Sequence, residues 1–370
     1  MWVYWSFLML SLFLLFFAQQ KTREYISKKN AIVGYYTPQP LVLFSVAYVA
    51  FYASLRDVVL DTYAYIATFK NMPLDYHRML LQIENTPGWG FHYLSGVFKI
   101  YISENHYFWL GMVACSSLYS LFRFYKTQSC NYALTFFLFI ASTNFTWLLN
   151  GARQFLAVCI LIGFCDLMFS KKKIYRWGYY VLMLIMTTIH SSVWFVIPIT
   201  YICARGKLLD KWMFVVVLMA IIGTMNMQDV TEYASMMMNK DYSFDDTSGS
   251  SIMRLLISVV PITLVLLKLK EIHKSATPML TFAINMSLVG ACFFLAATFS
   301  SGILIGRMPI YFTLYNYILL PWLLKKFYPN KFIFLVCVFC YVFFFYFQMC
   351  IAWRGLGYGS DILGLKYVII

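Results

Sequence analysis

Arginine recurs in this sequence beside residues that handle protons and hydrogen bonds. Arg56 and Asp57 lead to Asp61-Thr62-Tyr63, and Arg153 sits within Asn150-Gly151-Ala152-Arg153-Gln154. A lone His190 precedes Ser191-Ser192, Arg307 follows Ser301-Gly302 with Tyr311 four residues on, and Arg254 opens another apolar run. A guanidinium is a permanently charged, rigid fork that grips phosphate or carboxylate through two parallel hydrogen bonds, whereas a lysine ammonium acts as a point charge. Arg56, Arg153 and Arg307 are therefore candidates to cradle an anion, with Arg254 as a further contributor and Tyr311 one turn from Arg307. Asn150 and Gln154 add hydrogen-bonding groups beside Arg153. For proton transfer the candidates are His190, whose imidazole titrates near neutrality, and the carboxylates Asp61 and Asp57. No clear metal-ligand set is present, so neither a metal nor another cofactor is expected.

The elements that hold these residues must live in a bilayer. Apolar residues make up 61% of the 370, charged residues 12%, and the mean hydropathy is +0.69, outside the range of soluble domains. That excludes a soluble enzyme. Apolar runs fall at about 2–18, 40–55, 106–122, 131–149, 154–169, 174–204, 212–225, 252–267, 278–299, 303–324 and 332–352, most of them long enough to cross as helices. Eight of the nine Cys lie inside these runs, and Cys337-Val338-Phe339-Cys340 is mid-way along a Phe-rich one, so they read as small apolar side chains and not as a redox or metal motif. No positive charge precedes residues 2–18, and Lys21, Arg23, Lys28 and Lys29 follow, the reverse of a cleavable signal peptide; this run is expected to stay as a span with its N-terminus outside.

Charge sets the expected topology. The run from Ile174 to Ala204 would be about 46 Å long as one helix, half as long again as the hydrocarbon core. Splitting it at His190 places 19 of the 29 Lys and Arg in inner loops, whereas one continuous helix leaves an even division. The split is preferred, giving +15 inside and −1 outside, so the net charge of +14 reports orientation and implies no nucleic-acid partner. The expected fold is an all-α, polytopic integral membrane protein. It has about twelve transmembrane helices (11 to 14), some short or re-entrant, in a single transmembrane domain over residues 1–370. Two outer loops follow, at 56–105 and 226–251, the second rich in acid (Asp229, Glu232, Asp241, Asp245, Asp246). In the first, Leu94, Val97, Phe98, Tyr101 and Ile102 recur at helical spacing opposite Ser95, Lys99 and Ser103, predicting an amphipathic helix at the membrane surface. Of the ten outer basic residues six are arginine, against four of nineteen inside. Snorkelling or ion pairing accounts equally well for Arg78, Arg254 and Arg354, and a core hydrogen bond is the plain alternative for His190.

The patterns at 56–65 (Arg-Asp, Asp61-Thr62-Tyr63, Tyr65), 150–154, 190–192 and 301–311 resemble the EpsG/Wzy-type family of bacterial O-antigen and exopolysaccharide polymerases, over about residues 50–315. The Asn-Gly-x-Arg-Gln element followed by the His is its most specific part. One departure is visible: members often carry an acid directly before the Pro or Gly-Phe of the first outer loop, whereas Glu84 here precedes Thr86-Pro87 by two residues. The resemblance implies a glycosyltransferase of the bacterial inner membrane with its site facing the periplasm. Its partners would be an undecaprenyl-pyrophosphate-linked oligosaccharide donor and acceptor in membrane lipid, with undecaprenyl pyrophosphate released, and a chain-length regulator protein as a further partner. The alternatives are an O-antigen ligase, another polyprenyl-phosphate-dependent transferase, or a lipid-linked oligosaccharide flippase. The crowding of unusual polar residues toward one leaflet and the lack of related halves argue against the flippase.

Overall fold

The computed structural model describes residues 1–29, 38–84, 86–225, 250–299, 305–353 and 356–366. Among them the chain is helical, with two isolated bridges, Val58 to Gly359 and Ser360 to Leu365, as its only β-type pairing. Four helical stretches are long and apolar enough to cross a membrane: Trp2–Thr22, Ala152–Phe169, Pro278–Thr298 and Lys331–Ala352. A fifth exists if Ile252–Leu267 and Leu269–Ser275, bent by 84° at their junction, form one span. Twelve crossings are therefore not what the described residues support. Several apolar runs fold as short helices, such as Gln39–Ser54, Tyr132–Ala141 and Val193–Arg205; at 1.5 Å per residue these reach roughly 15–24 Å, less than the ~30 Å core. Tyr132–Ala141 is buried throughout, whereas other apolar helices keep large side chains exposed, Phe44, Trp177, Phe214 and Phe339 among others, as lipid-facing helices require.

The chain forms two compact units, residues 1–163 with 334–370, and residues 164–333. The first contains α1 (Trp2–Lys29), α2 (Gln39–Ser54), α3 (Thr62–Lys70), α4 (Tyr76–Ile83), α5 (Trp89–Tyr101), α6 (His106–Gln128), α7 (Tyr132–Ala141), α8 (Thr146–Leu149) and α9 (Ala152–Gly163). Helix α6 packs on α2 and α9 through small residues: a Cβ added at Gly163 would fall 2.6 Å from the Ser120 carbonyl oxygen, and one at Gly111 would fall 3.2 Å from Ser54. Backbones approach this closely where packing, not water exclusion, holds helices together.

Segment 56–105 folds as three short helices. Asp75 caps α4 by accepting from the Arg78 amide at 2.8 Å, and Gly88, at φ +75°, turns the chain into α5. The helix expected over 94–102 forms as α5. Leu94, Tyr101 and Ile102 are exposed while Ser95 and Lys99 are buried. The reason is Lys99, whose Nζ donates to the carbonyls of Lys70 (2.7 Å) and Met72 (2.6 Å) and so caps the C-terminus of α3.

In the second unit, the 174–204 run divides at His190, between α10 (Lys173–Ile189) and α11 (Val193–Arg205). His190 is extended, at φ −148° and ψ 121°, which breaks the helix. Ile262, Val265, Ile284, Leu319 and Leu323 form a core there. Buried Asn285 donates to the Cys203 and Lys207 carbonyls and accepts from the Leu209 amide, fixing the turn after α11. The run expected as one helix from Ile303 is instead a 3-10 turn (Ile305–Arg307), a short helix (Ile310–Thr313) and a longer one (Asn316–Lys326). Pro309, which has no N–H, starts the short helix, so Arg307 and Tyr311 do not share one regular helical face.

Candidate functional site

In the first unit the structure joins two sequence motifs that lie 87–88 positions apart. Arg56 Nε donates to Thr62 Oγ1 at 3.0 Å, Thr62 Oγ1 donates to the Leu149 carbonyl at 3.4 Å, and the Arg153 amide reaches Tyr65 Oη at 3.5 Å. Thus 56–65 and 149–153 are one hydrogen-bonded unit. Asn150 and Gly151 form its turn: Asn150 is extended after α8, and Gly151 takes φ +82° before α9 begins. A Cβ at Gly151 would also meet the Trp147 ring at 3.1 and 3.3 Å, so both conformation and space demand glycine here.

Arg153 is half-buried at the start of an apolar helix. One of its guanidinium nitrogens donates to the Pro87 carbonyl at 2.9 Å, tying the α4–α5 connection to the motif. No carboxylate pairs with it among the described residues. Asp61 stands at the N-cap position of α3, but its carboxylate caps nothing; its backbone carbonyl accepts from the Tyr65 amide. The preceding Leu60 is held at φ +41°, a left-handed conformation costly for leucine, which marks the 57–61 turn as strained. Tyr65 lies in the field of Asp61, Arg153 and Arg56, and burial raises its phenol above the ordinary value. Burial, and then Arg153, push the His92 imidazole below its ordinary value. Asn150 Oδ1 is buried and accepts no hydrogen bond among the described residues.

Two candidates take other positions. Arg56 is only 1% exposed, and its remaining guanidinium bond goes to the Ala53 carbonyl. Burial lowers its pKa to about 10, partly offset by Tyr65, Tyr358 and Tyr4, so it remains charged at neutral pH. It supports the motif from beneath and is not placed to touch a ligand in this conformation. Asp57 accepts from Tyr107 Oη (2.8 and 2.9 Å) and from the Asp361 amide (2.8 Å), with His106 Nε2 at 3.5 Å. It latches the C-terminal segment to α6, with its acceptor capacity largely used.

In the second unit, His190 Nδ1 lies 2.7 Å from Ser192 Oγ, which in turn lies 2.9 Å from Tyr311 Oη. The Ser192 amide also donates to Nδ1 at 3.4 Å, so Nδ1 is an acceptor and the neutral ring carries its proton on Nε2. Tyr311 and Ser192 are buried; Arg307 is exposed in its 3-10 turn, and Arg254 is in the first turn of Ile252–Leu267. Gln154 is buried in α9. Arg354, the Ser300–Ile303 approach to Arg307 and the acid-rich stretch from Asp229 to Asp246 lie outside the described residues. Among the described residues no group of His, Cys, Asp and Glu is placed to hold a metal ion. Thr62, Pro87, His92 and Ser192 were not singled out from the sequence as site residues. Thr62 lies within the Asp61-Thr62-Tyr63 motif, Pro87 within the first outer loop and Ser192 two residues after the lone histidine, whereas His92 has no signal in the sequence.

Apolar helices with exposed apolar faces, together with a half-buried arginine and an uncommitted carboxylate at a strained polar break, define a helical membrane protein with a candidate site for an anionic substrate. The chain belongs to the EpsG family, whose sequence model matches residues 40–358. Membership places it among polysaccharide polymerase-like membrane proteins. No curated protein and no solved structure matches it.

Proposed function

We propose that the protein is a polysaccharide polymerase. It joins undecaprenyl-pyrophosphate-linked oligosaccharide repeat units at the periplasmic face of the bacterial inner membrane, in a bundle whose crossings number about twelve when short and re-entrant helices are included. The observation that carries this reading is Arg153: a half-buried cation at the membrane-entering end of α9, with no carboxylate partner among the described residues and one N–H holding Pro87. Such a charge is stabilised by a bound anion.

In the reaction, the acceptor hydroxyl oxygen bonds to the anomeric carbon of the donor while that carbon's bond to the pyrophosphate oxygen breaks. The electron pair leaves on undecaprenyl pyrophosphate, and Arg153 stabilises the charge that develops there. Asp61, whose carboxylate is engaged in no hydrogen bond among the described residues, accepts the hydroxyl proton. In the second unit His190, with Nδ1 held by Ser192, carries its proton on Nε2, a tautomer that suits a hydrogen-bond donor better than a base. Arg307 and Arg254 contribute positive charge in the second unit.

The test is to incubate purified protein in nanodiscs with lipid-linked repeat unit and resolve the products on a gel. A ladder of lengthened products is expected, formed on the order of a hundredfold more slowly by Arg153→Ala. A single unextended transfer to a second acceptor indicates a ligase, movement of lipid-linked sugar across the bilayer without bond formation indicates a flippase, and an undiminished ladder from Arg153→Ala removes the role given to that residue.

A further inference from the structure

Between α4 and α5 lies a cavity of about 470 Å³, bordered by His77, Leu80, Ile83, Glu84, Trp89 and Tyr93. This is within the roughly 300–1,000 Å³ range of small-ligand sites. The hairpin that forms it is set by its own sequence. Asp75 caps α4, Gly88 permits the left-handed entry into α5, and Gly96 lies so close to Met79 that an added Cβ would fall 2.7 Å from its thioether.

The wall chemistry selects the occupant. Trp89 and Tyr93 are one helical turn apart and project from the same face of α5. Tyr93 is steadied by Tyr76, their hydroxyls 3.5 Å apart, and Trp89 is 50% exposed. Glu84 and His77 are exposed, and neither side chain has a hydrogen-bond or ion-pair partner among the described residues. An acyl chain would have to lie against these two polar groups and leave them unpaired. A sugar ring offers both complements: an apolar C–H face for the indole and phenol rings, and a rim of hydroxyls for a carboxylate, which accepts only, and an imidazole, which accepts and donates.

The cavity is also tied to the candidate site. Pro87, in the connection between Glu84 and Trp89, accepts the hydrogen bond from the Arg153 guanidinium. We infer that the α4–α5 hairpin is a carbohydrate-binding subsite for one or two sugar rings, which stack on Trp89 and Tyr93 and hydrogen-bond to Glu84 and His77, held at a fixed offset from the pyrophosphate group at Arg153. Its placement relative to a pyrophosphate rests on the polymerase reading; the sugar site itself does not.

The probe is the free oligosaccharide released by mild acid from the lipid-linked repeat unit, added to the full-length protein in nanodiscs and followed by saturation-transfer difference NMR. Signals from sugar C–H protons are expected, with the dissociation constant weakened at least about tenfold by Trp89→Ala and by Glu84→Gln. Gln82→Ala, on α4 but outside the cavity wall, should bind as the unmodified protein does. Because Trp89 and Glu84 are exposed, these changes leave the fold intact, which circular dichroism checks. Equal binding by Trp89→Ala and Glu84→Gln, no sugar signal at all, or displacement of the oligosaccharide by undecaprenyl phosphate alone would overturn the subsite. Binding requires no turnover, so the two ideas separate: a product ladder with Trp89-independent sugar binding removes the subsite and keeps the polymerase, whereas Trp89-dependent binding without a ladder does the reverse.

Discussion

Gly151→Ala is the sharpest probe of how the turn presents Arg153. The native φ of +82° lies in the region where a Cβ meets the neighbouring carbonyl oxygen, at a cost of about 1–2 kcal/mol for an L-residue. The same Cβ would sit 3.1 Å from Trp147 Cε3 and 3.3 Å from Cζ3, so the indole must yield by a few tenths of an ångström as well. Conformational strain alone lowers the population of the native turn about 5- to 30-fold against any competing turn that relieves it. In a competing turn the Arg153 amide no longer meets Tyr65 and its guanidinium no longer meets Pro87.

The assay is initial-rate polymerisation in nanodiscs across donor concentrations, beside thermal unfolding of the same preparation. The expected result is a fall in kcat/KM of about 5- to 30-fold with a lower unfolding midpoint. Gly178→Ala is the control: it lies within α10, nothing falls within 4 Å of its added Cβ, and the change should stabilise the helix by about 0.5–1 kcal/mol without altering the rate. If Gly151→Ala keeps full activity, the turn does not position Arg153 and the account of the site is wrong at its centre.

Other outcomes follow from the same contacts. Lys99→Met leaves the Lys70 and Met72 carbonyls without their donor and should cost about 1–3 kcal/mol, read as a lower unfolding midpoint in detergent. Ser192→Ala removes the hydroxyl between His190 and Tyr311; kcat should fall about tenfold with KM little changed, and Ser192→Thr should restore it, whereas a purely structural role would move the unfolding midpoint and leave kcat alone. His92 gives a pH dependence. Its folded pKa lies below the ordinary 6.5, so the unfolded chain binds the proton first. Stability is complete above about 6.5 and is lost as pH falls through that value toward the folded pKa. His92→Gln should flatten the midpoint-against-pH curve between pH 7.5 and 5.5, and an unchanged slope would exclude His92 as its source.

Much of the architecture is legible in the sequence because bilayer insertion depends on summed apolarity, which composition reports directly. The break at His190 is legible for a related reason: the run is too long for one crossing, and the division of charge favours two helices over one. Helix lengths are not legible. Apolar runs at 131–149 and 303–324 look continuous, yet Thr143, at φ +62°, and Pro309 interrupt them, and the resulting pieces are too short to cross alone. For α5 the spacing yields the helix but not what its polar face meets, because the two carbonyls that take Lys99 lie 27 and 29 residues upstream.

The arginines show where reading by residue type stops. Arg56 and Arg153 are alike in sequence: each follows an apolar run and each has hydrogen-bonding neighbours. The structure separates them by what their N–H groups meet. Arg56 gives its hydrogen bonds to Ala53 and Thr62 and is closed off from solvent, while the Arg153 guanidinium gives one to Pro87 and is half-exposed. A donor count, five for each guanidinium, is a property of the residue; how many remain after folding depends on where the chain brings its acceptors, 3 and 6 positions away for Arg56 and 66 for Arg153. Swapping each for lysine tests this division. At Arg56 the loss should appear in stability, since Thr62 and through it Leu149 lose their anchor. At Arg153 it should appear in the rate, since the charge persists and the fork does not. The same pattern at both positions would mean that the two arginines act as one anion site and that the burial of Arg56 belongs to the unliganded state alone.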